Sequence, residues 1–218
     1  MNRTVAASGL FICEGTSDEP LAEIVERIFV ERGCNLRLTV PPFDTLKGVA
    51  KDVRSRVDAG LKLIGHSVDL VIVHRDADNA GWQARYHEIS NAVAGVSPGS
   101  LMIPIIPISM TEAWLLLDEG KIRFVSGKPS GKSRLKLPKV HEVEGVSDPK
   151  DLLKEALLTA SESTGRRRKT VAQRFGQHRR QLLQNLDVNG PVKDLSAWKL
   201  LSDRIDEVLR EIKARGEA

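Results

Sequence analysis

Apolar positions along the chain fall into two rhythms. Short unbroken runs occur at residues 9–13, 36–40, 70–74 and 101–108, each read as a strand. Between them the apolar residues recur at helical spacing. Leu21, Ile24, Val25, Ile28 and Phe29 form one such stripe, and Leu46, Val49, Val53, Val57, Leu61 and Ile64 form a second. Further helices are predicted over about residues 81–94 and 110–118. Thr16 and Glu19 have the spacing of a capping box and Pro20 suits a first turn, so the first helix is expected to open there. Pro104 and Pro107 cannot donate to a ladder and push the fourth strand to a sheet edge. Four strand–helix alternations in about 110 residues predict an α/β domain with a mostly parallel four-stranded sheet flanked by helices.

The rhythm changes after Gly120. Residues 121–139 hold seven basic side chains and no acidic one, with glycines and prolines, and read as a surface loop or hairpin. A helical stripe returns at Leu152, Leu153, Ala156, Leu157 and Ala160. A second basic stretch follows, acid-free from residue 163 to 186, and a last helix over about 194–213 aligns Trp198, Leu201, Ile205, Val208 and Ile212. That final stripe either packs on the chain's own core or lies in a partner's groove. The division is therefore residues 1–120 as the α/β domain and 121–218 as a basic loop and helical extension packed on it.

Charge sharpens this division. The net charge of +4 is small, but residues 120–186 carry 16 Lys and Arg against 6 Asp and Glu, which points to a polyanion. Only 4% of residues are aromatic, which disfavours base-stacking platforms. No apolar run approaches the roughly 18 residues of a membrane span, and residues 1–10 lack a signal-peptide pattern, so no membrane partner and a cytoplasmic location are expected. Cys13 and Cys34 make no CxxC pair or zinc quartet and are expected as buried thiols in a reducing compartment.

In an open α/β sheet, catalytic groups gather beyond the carboxyl ends of the strands. Glu14 and Asp18 follow the first strand, Asp76 and Asp78 the third, and Glu112 the fourth. Crowded carboxylates repel unless a cation neutralises them, and Mg²⁺ takes oxygen ligands, so a metal site accounts for all five; singly, Asp18, Glu19, Asp78 and Glu112 also suit helix N-termini. His74 is expected beside Asp76, hydrogen-bonded to a neighbour. The stretch Gly127-Lys-Pro-Ser-Gly131-Lys132-Ser133 has three residues between its glycines where a Walker A loop has four, and no helix is expected after it, so it is not read as a nucleotide site.

Leu10-Phe-Ile-Cys-Glu14-Gly-Thr-Ser-Asp18 resembles the first Toprim motif, and Leu70-Val-Ile-Val-His-Arg-Asp76-Ala-Asp78-Asn-Ala-Gly81 resembles the second. The Glu14 and Asp18 spacing is similar to the OLD nuclease branch, and Thr111-Glu-Ala-Trp-Leu-Leu-Leu-Asp118 to small stand-alone Toprim proteins of bacterial defence loci. The resemblance covers residues 8–120. It implies a Toprim-like, Rossmann-like fold and a Mg²⁺- or Mn²⁺-dependent nuclease acting on DNA, working with a separate ATPase subunit. Glu14, Asp76, Asp78 and Glu112 are the expected catalytic residues, joined by Asp18 as metal ligands. Lys132, Arg166, Arg167, Arg168, Lys169 and Arg174 are the expected nucleic-acid contacts. An assisting lysine stays open among Lys132, Lys154 and Lys169. The alternatives are an RNA-cleaving enzyme on the same scaffold and a non-catalytic subunit that binds an ATPase or nucleic acid.

Overall fold

A computed structural model describes residues 5–216, so residues 1–4 and 217–218 of the two predicted segments lie outside the described residues. Four strands, β1 (Val5–Ile12), β2 (Cys34–Thr39), β3 (Leu70–His74) and β4 (Leu101–Ile105), form one sheet of order β2-β1-β3-β4, parallel throughout. The four apolar runs are these strands, the third matching to the residue and the other three differing in their bounds by a few residues. All of β3 is buried, as a central parallel strand covered on both faces must be. β4 lies at the edge, as Pro104 within it leads one to expect, and its Met102 carbonyl accepts a bond from Arg204 Nε at 2.9 Å.

Helices cover both faces. On one side α2 (Val53–Ile64) and α3 (Trp82–Val96) bury Leu10, Ile12, Val71 and Val73 with Val57, Ile89 and Val93. Gly60 lets α2 press on β1, since a Cβ there would stand 2.8 Å from Leu10 Cδ1. The stripe predicted to begin at Leu46 is helical only from Val53. Pro41, Pro42 and Gly48 (φ +80°) keep the preceding residues irregular, and Asp52 caps the helix by accepting from Ser55 N at 2.8 Å. The expected capping box at Thr16 does not form. Residues Thr16–Asp18 make a 3₁₀ turn instead, and α1 (Pro20–Glu31) starts at the proline.

The opposite face carries α1, α4 (Glu112–Leu115) and most of the extension: α5 (Glu119–Val125), α6 (Val140–Val143), α7 (Pro149–Ala160), α8 (Gly165–Gln173), α9 (Phe175–Gln184) and α10 (Ser196–Gly216). The segment expected as a loop from residue 121 thus begins as helix α5. Phe11, Ile72 and Ile103 of the sheet share one core with Trp114, Leu157, Leu183 and Ile205. Trp114 and Trp198 meet edge to face at 5.2 Å. The whole Trp198–Ile212 stripe is buried here, so it packs on the chain's own core and is not a docking face. No helix among the described residues is long and apolar enough to cross a membrane.

Candidate functional site

The strand order reverses direction between β1 and β3, and a crevice forms beyond their carboxyl ends. The loops leaving β3 and β4 stay zipped past the strands: Arg75 N, Ala77 N and Asp78 N donate to Ile105 O, Pro107 O and Ser109 O, each at 3.1 Å. This register sets Asp76 against Thr111. Asp76 Oδ1 accepts from Thr111 N at 3.0 Å and from Thr111 Oγ1 at 3.1 Å. The Thr111 hydroxyl has one proton, which goes to Asp76, so it accepts from His74 Nε2 at 2.9 Å. His74 Nε2 also lies 3.5 Å from Asp76 Oδ1.

These contacts act on both ionisations. Burial disfavours charge on His74, but the hydrogen bond and charge of Asp76 outweigh it and hold the imidazole above its ordinary value. Burial likewise works against the Asp76 carboxylate. His74 and Thr111 outweigh that and keep it below the usual range, so Asp76 is ionised at neutral pH.

Glu14 is exposed on the turn after β1, with Oε1 3.0 Å from Arg75 Nε in an ion pair that is not aligned as a hydrogen bond. Arg56 of α2 fixes that turn by donating to the Cys13 and Glu14 carbonyls while its guanidinium lies 5.1 Å from the Phe43 ring centre. Asp78 is exposed and opens a second 3₁₀ turn with φ +44°, a left-handed conformation that aspartate tolerates better than most residues. Cys13 is no nucleophile: burial, then the charges of Asp18 and Glu19, push its thiol up to about 12.

Asp18 and Glu112, expected as ligands of a second ion, are placed instead around a buried guanidinium. Arg179 of α9 donates Nη2 to Asp18 Oδ1 and Nε to Glu112 Oε1, both at 2.7 Å, and all three residues are at most 6% exposed. Burial opposes the arginine's charge, yet the two carboxylates outweigh it and raise its affinity for the proton. Next to it Arg180 donates to Glu19 Oε2 at 2.9 Å and to the Thr16 carbonyl. Helix α9 therefore closes one flank of the crevice. Sequence reasoning missed Arg179, Arg75, Arg56 and Thr111. For Arg179 a signal existed: it shares helical spacing with Leu182 and Leu183, so it lies on the buried face of α9.

Among the described residues, no group of three or more His, Cys, Asp or Glu converges as a cation site. Asp18 and Glu112 do not fit a metal, because each already spends an oxygen on a buried cation. Glu14, Asp76 and Asp78 fit one in chemistry: they are oxygen donors beyond the carboxyl ends of the two central strands, and no partner engages Glu14 Oε2 or Asp76 Oδ2 among the described residues. Of the expected nucleic-acid contacts, Lys132, Arg166, Arg167, Lys169 and Arg174 are exposed. Arg168 is half-buried, donating to Leu158 O at 3.2 Å with Glu155 Oε2 at 3.7 Å. No family model, curated protein or solved structure matches the chain.

Proposed function

We propose that this protein is a divalent-metal-dependent nuclease of Toprim type acting on DNA, with Glu14, Asp76 and Asp78 as the ligands of Mg²⁺ or Mn²⁺. The observation that supports it best is the adjacency of β1 and β3, which sets the Glu-Gly and Asp-x-Asp turns side by side at the switch point of a parallel sheet. The bound ion would supply water activation and stabilise the leaving oxygen. Thr111 and His74 orient Asp76 and keep it charged. Arg75 shields Glu14 and must release it for the carboxylate to turn inward. With Asp18 and Glu112 committed to Arg179, three acids remain, a complement suited to one ion.

A separate ATPase subunit belongs to the same proposal. The Gly127–Ser133 stretch is followed by irregular chain up to α6, so it lacks the helix that a Walker A loop opens. A second reading, a binding subunit without chemistry, is favoured by one observation: Arg75 and Arg179 already engage three of the five acids in ion pairs. Purified protein incubated with single- and double-stranded DNA and with RNA, in Mn²⁺ or Mg²⁺ and again in EDTA, decides between them. The nuclease reading expects DNA cleavage that EDTA, Asp76→Asn and Asp78→Asn abolish while the protein stays folded. Cleavage confined to RNA makes the protein a ribonuclease, and metal-independent binding without cleavage of any substrate makes it a binding subunit.

A further inference from the structure

The glycine-rich stretch at residues 127–133 performs no nucleotide role in the reading above, yet it is built as an anion cradle. Two successive backbone N–H groups, those of Lys132 and Ser133, point at one place and are joined there by the Ser133 hydroxyl. All three donate to a single atom, Glu162 Oε1, at 2.6, 2.9 and 3.1 Å. Lys128 Nζ stands 3.7 Å from the other carboxylate oxygen. Consecutive N–H groups converging in this way form the nest that binds phosphate and other anions in many proteins.

The cradle is held rigid from beneath. Arg123, 8% exposed, donates Nη2 to the Ser133 carbonyl at 2.7 Å and binds Glu119 Oε1 through Nε at 2.9 Å. Its Nη1 is buried with no partner, and Gly131 leaves room for it, since a Cβ there would stand 3.1 Å away. The acid in the cradle comes from a different element. Glu162 follows the end of α7 with φ +47°, a left-handed backbone that non-glycine residues seldom adopt. The bonds from Ser133 and Lys132 bring its carboxyl down to about 2. The cradle opens into a shallow depression whose far wall is Ser163, Thr164 and Arg168, at the start of the basic helix α8.

We infer that the 127–133 loop is a phosphate-binding site and that the Glu162 carboxylate holds the place of a phosphate oxygen until nucleic acid displaces it. The inference deepens the nucleic-acid part of the proposed function and rests on it for the source of the phosphate, a backbone phosphodiester; it needs no cleavage. A strand lying along the start of α8 brings a phosphate to the depression. There the two N–H groups, the Ser133 hydroxyl and Lys128 exchange one oxygen anion for another, with Lys132 and Arg168 at the rim. Glu162 is then an internal competitor that lowers resting affinity.

The test measures fluorescence anisotropy of labelled duplex and single-stranded DNA, in EDTA so that no metal-dependent cleavage intrudes, together with ¹⁵N shifts of the Lys132 and Ser133 amides on adding inorganic phosphate. Glu162→Gln and Glu162→Ala, verified as folded by circular dichroism, are expected to bind DNA at least fivefold more tightly than the native chain. Adding Lys128→Ala and Lys132→Ala is expected to erase the gain. Both amides are expected to shift with phosphate, more in Glu162→Ala than in the native protein. A shift with phosphate but no gain for DNA keeps the anion site and assigns it to free phosphate. DNA affinity within twofold of native in both folded Glu162 variants, with amides silent to phosphate, overturns the inference. EDTA-sensitive cleavage scored on the same samples reports on the nuclease reading separately.

Discussion

The Arg179 guanidinium meets Asp18 and Glu112 where almost no water reaches, so each charge depends on the others for what solvent would have supplied. Removing the arginine alone leaves two buried carboxylates unpaired. Arg179→Met is therefore expected to lower stability by about 3–5 kcal/mol in urea denaturation, with a smaller loss for Asp18→Asn, which keeps a hydrogen-bond acceptor. A loss under about 1 kcal/mol for Arg179→Met would show that water or a neighbouring cation compensates the pair. Helical spacing with Leu182 and Leu183 marks Arg179 as facing inward, but its pairing with Asp18 and Glu112 was not legible from local sequence. Glu14, Asp76 and Asp78 could be found because each follows an apolar run by a few residues. The same rule placed Asp18 and Glu112 in the crevice but could not assign them to Arg179, whose Nη2 bond to Asp18 spans 161 positions.

At the scale of elements, legibility followed burial. β3 was found to the residue because all five of its side chains are buried, whereas α8 buries none and its basic sequence carries no apolar stripe to read. Leu46 and Val49 continued the period of α2 by coincidence in a segment that prolines and a left-handed glycine keep irregular. The exposed side of α8 makes its own prediction. Replacing Arg166, Arg167 and Lys169 with alanine, and leaving Arg168 to anchor the helix, should reduce the slope of log K for DNA against log salt by roughly two to three, at about 0.9 per phosphate contact. An unchanged slope would make α8 a solvated face. The joint between α7 and the 127–133 loop has a pH signature. Glu162 is depressed from 4.5 to about 2, so it contributes stability above the unfolded value, and that contribution is lost as pH falls through the folded one. Glu162→Gln should therefore flatten the acid limb of the stability curve between about pH 4.5 and 2 and leave its shape above pH 5 unchanged, as followed by thermal melts.

Across the whole molecule, the boundary at residue 120 separates sequence character but not packing. The extension's Leu157, Leu183, Trp198 and Ile205 lie in one core with the sheet's Phe11, Ile72 and Ile103. Two-state unfolding in urea, with far-ultraviolet dichroism and tryptophan emission superimposing, is the expected behaviour of the full chain. A fragment ending at residue 120 should not show a cooperative transition, because it exposes the Trp114 face and strands Asp18 and Glu112 without their cation. A cooperative melt for that fragment would establish the first segment as an autonomous unit.

The span between Asp18 and Arg179 also sets a timetable. A ribosome adding about 5–20 residues per second needs roughly 10–30 s to travel from one to the other. Throughout that interval Asp18 is in the nascent chain and its counter-charge is not yet made. That flank of the crevice gains its cation only once α9 has been made. The ion triad thus makes closure of this flank of the crevice a late step of biosynthesis, after the strands and the turns that follow them have been made.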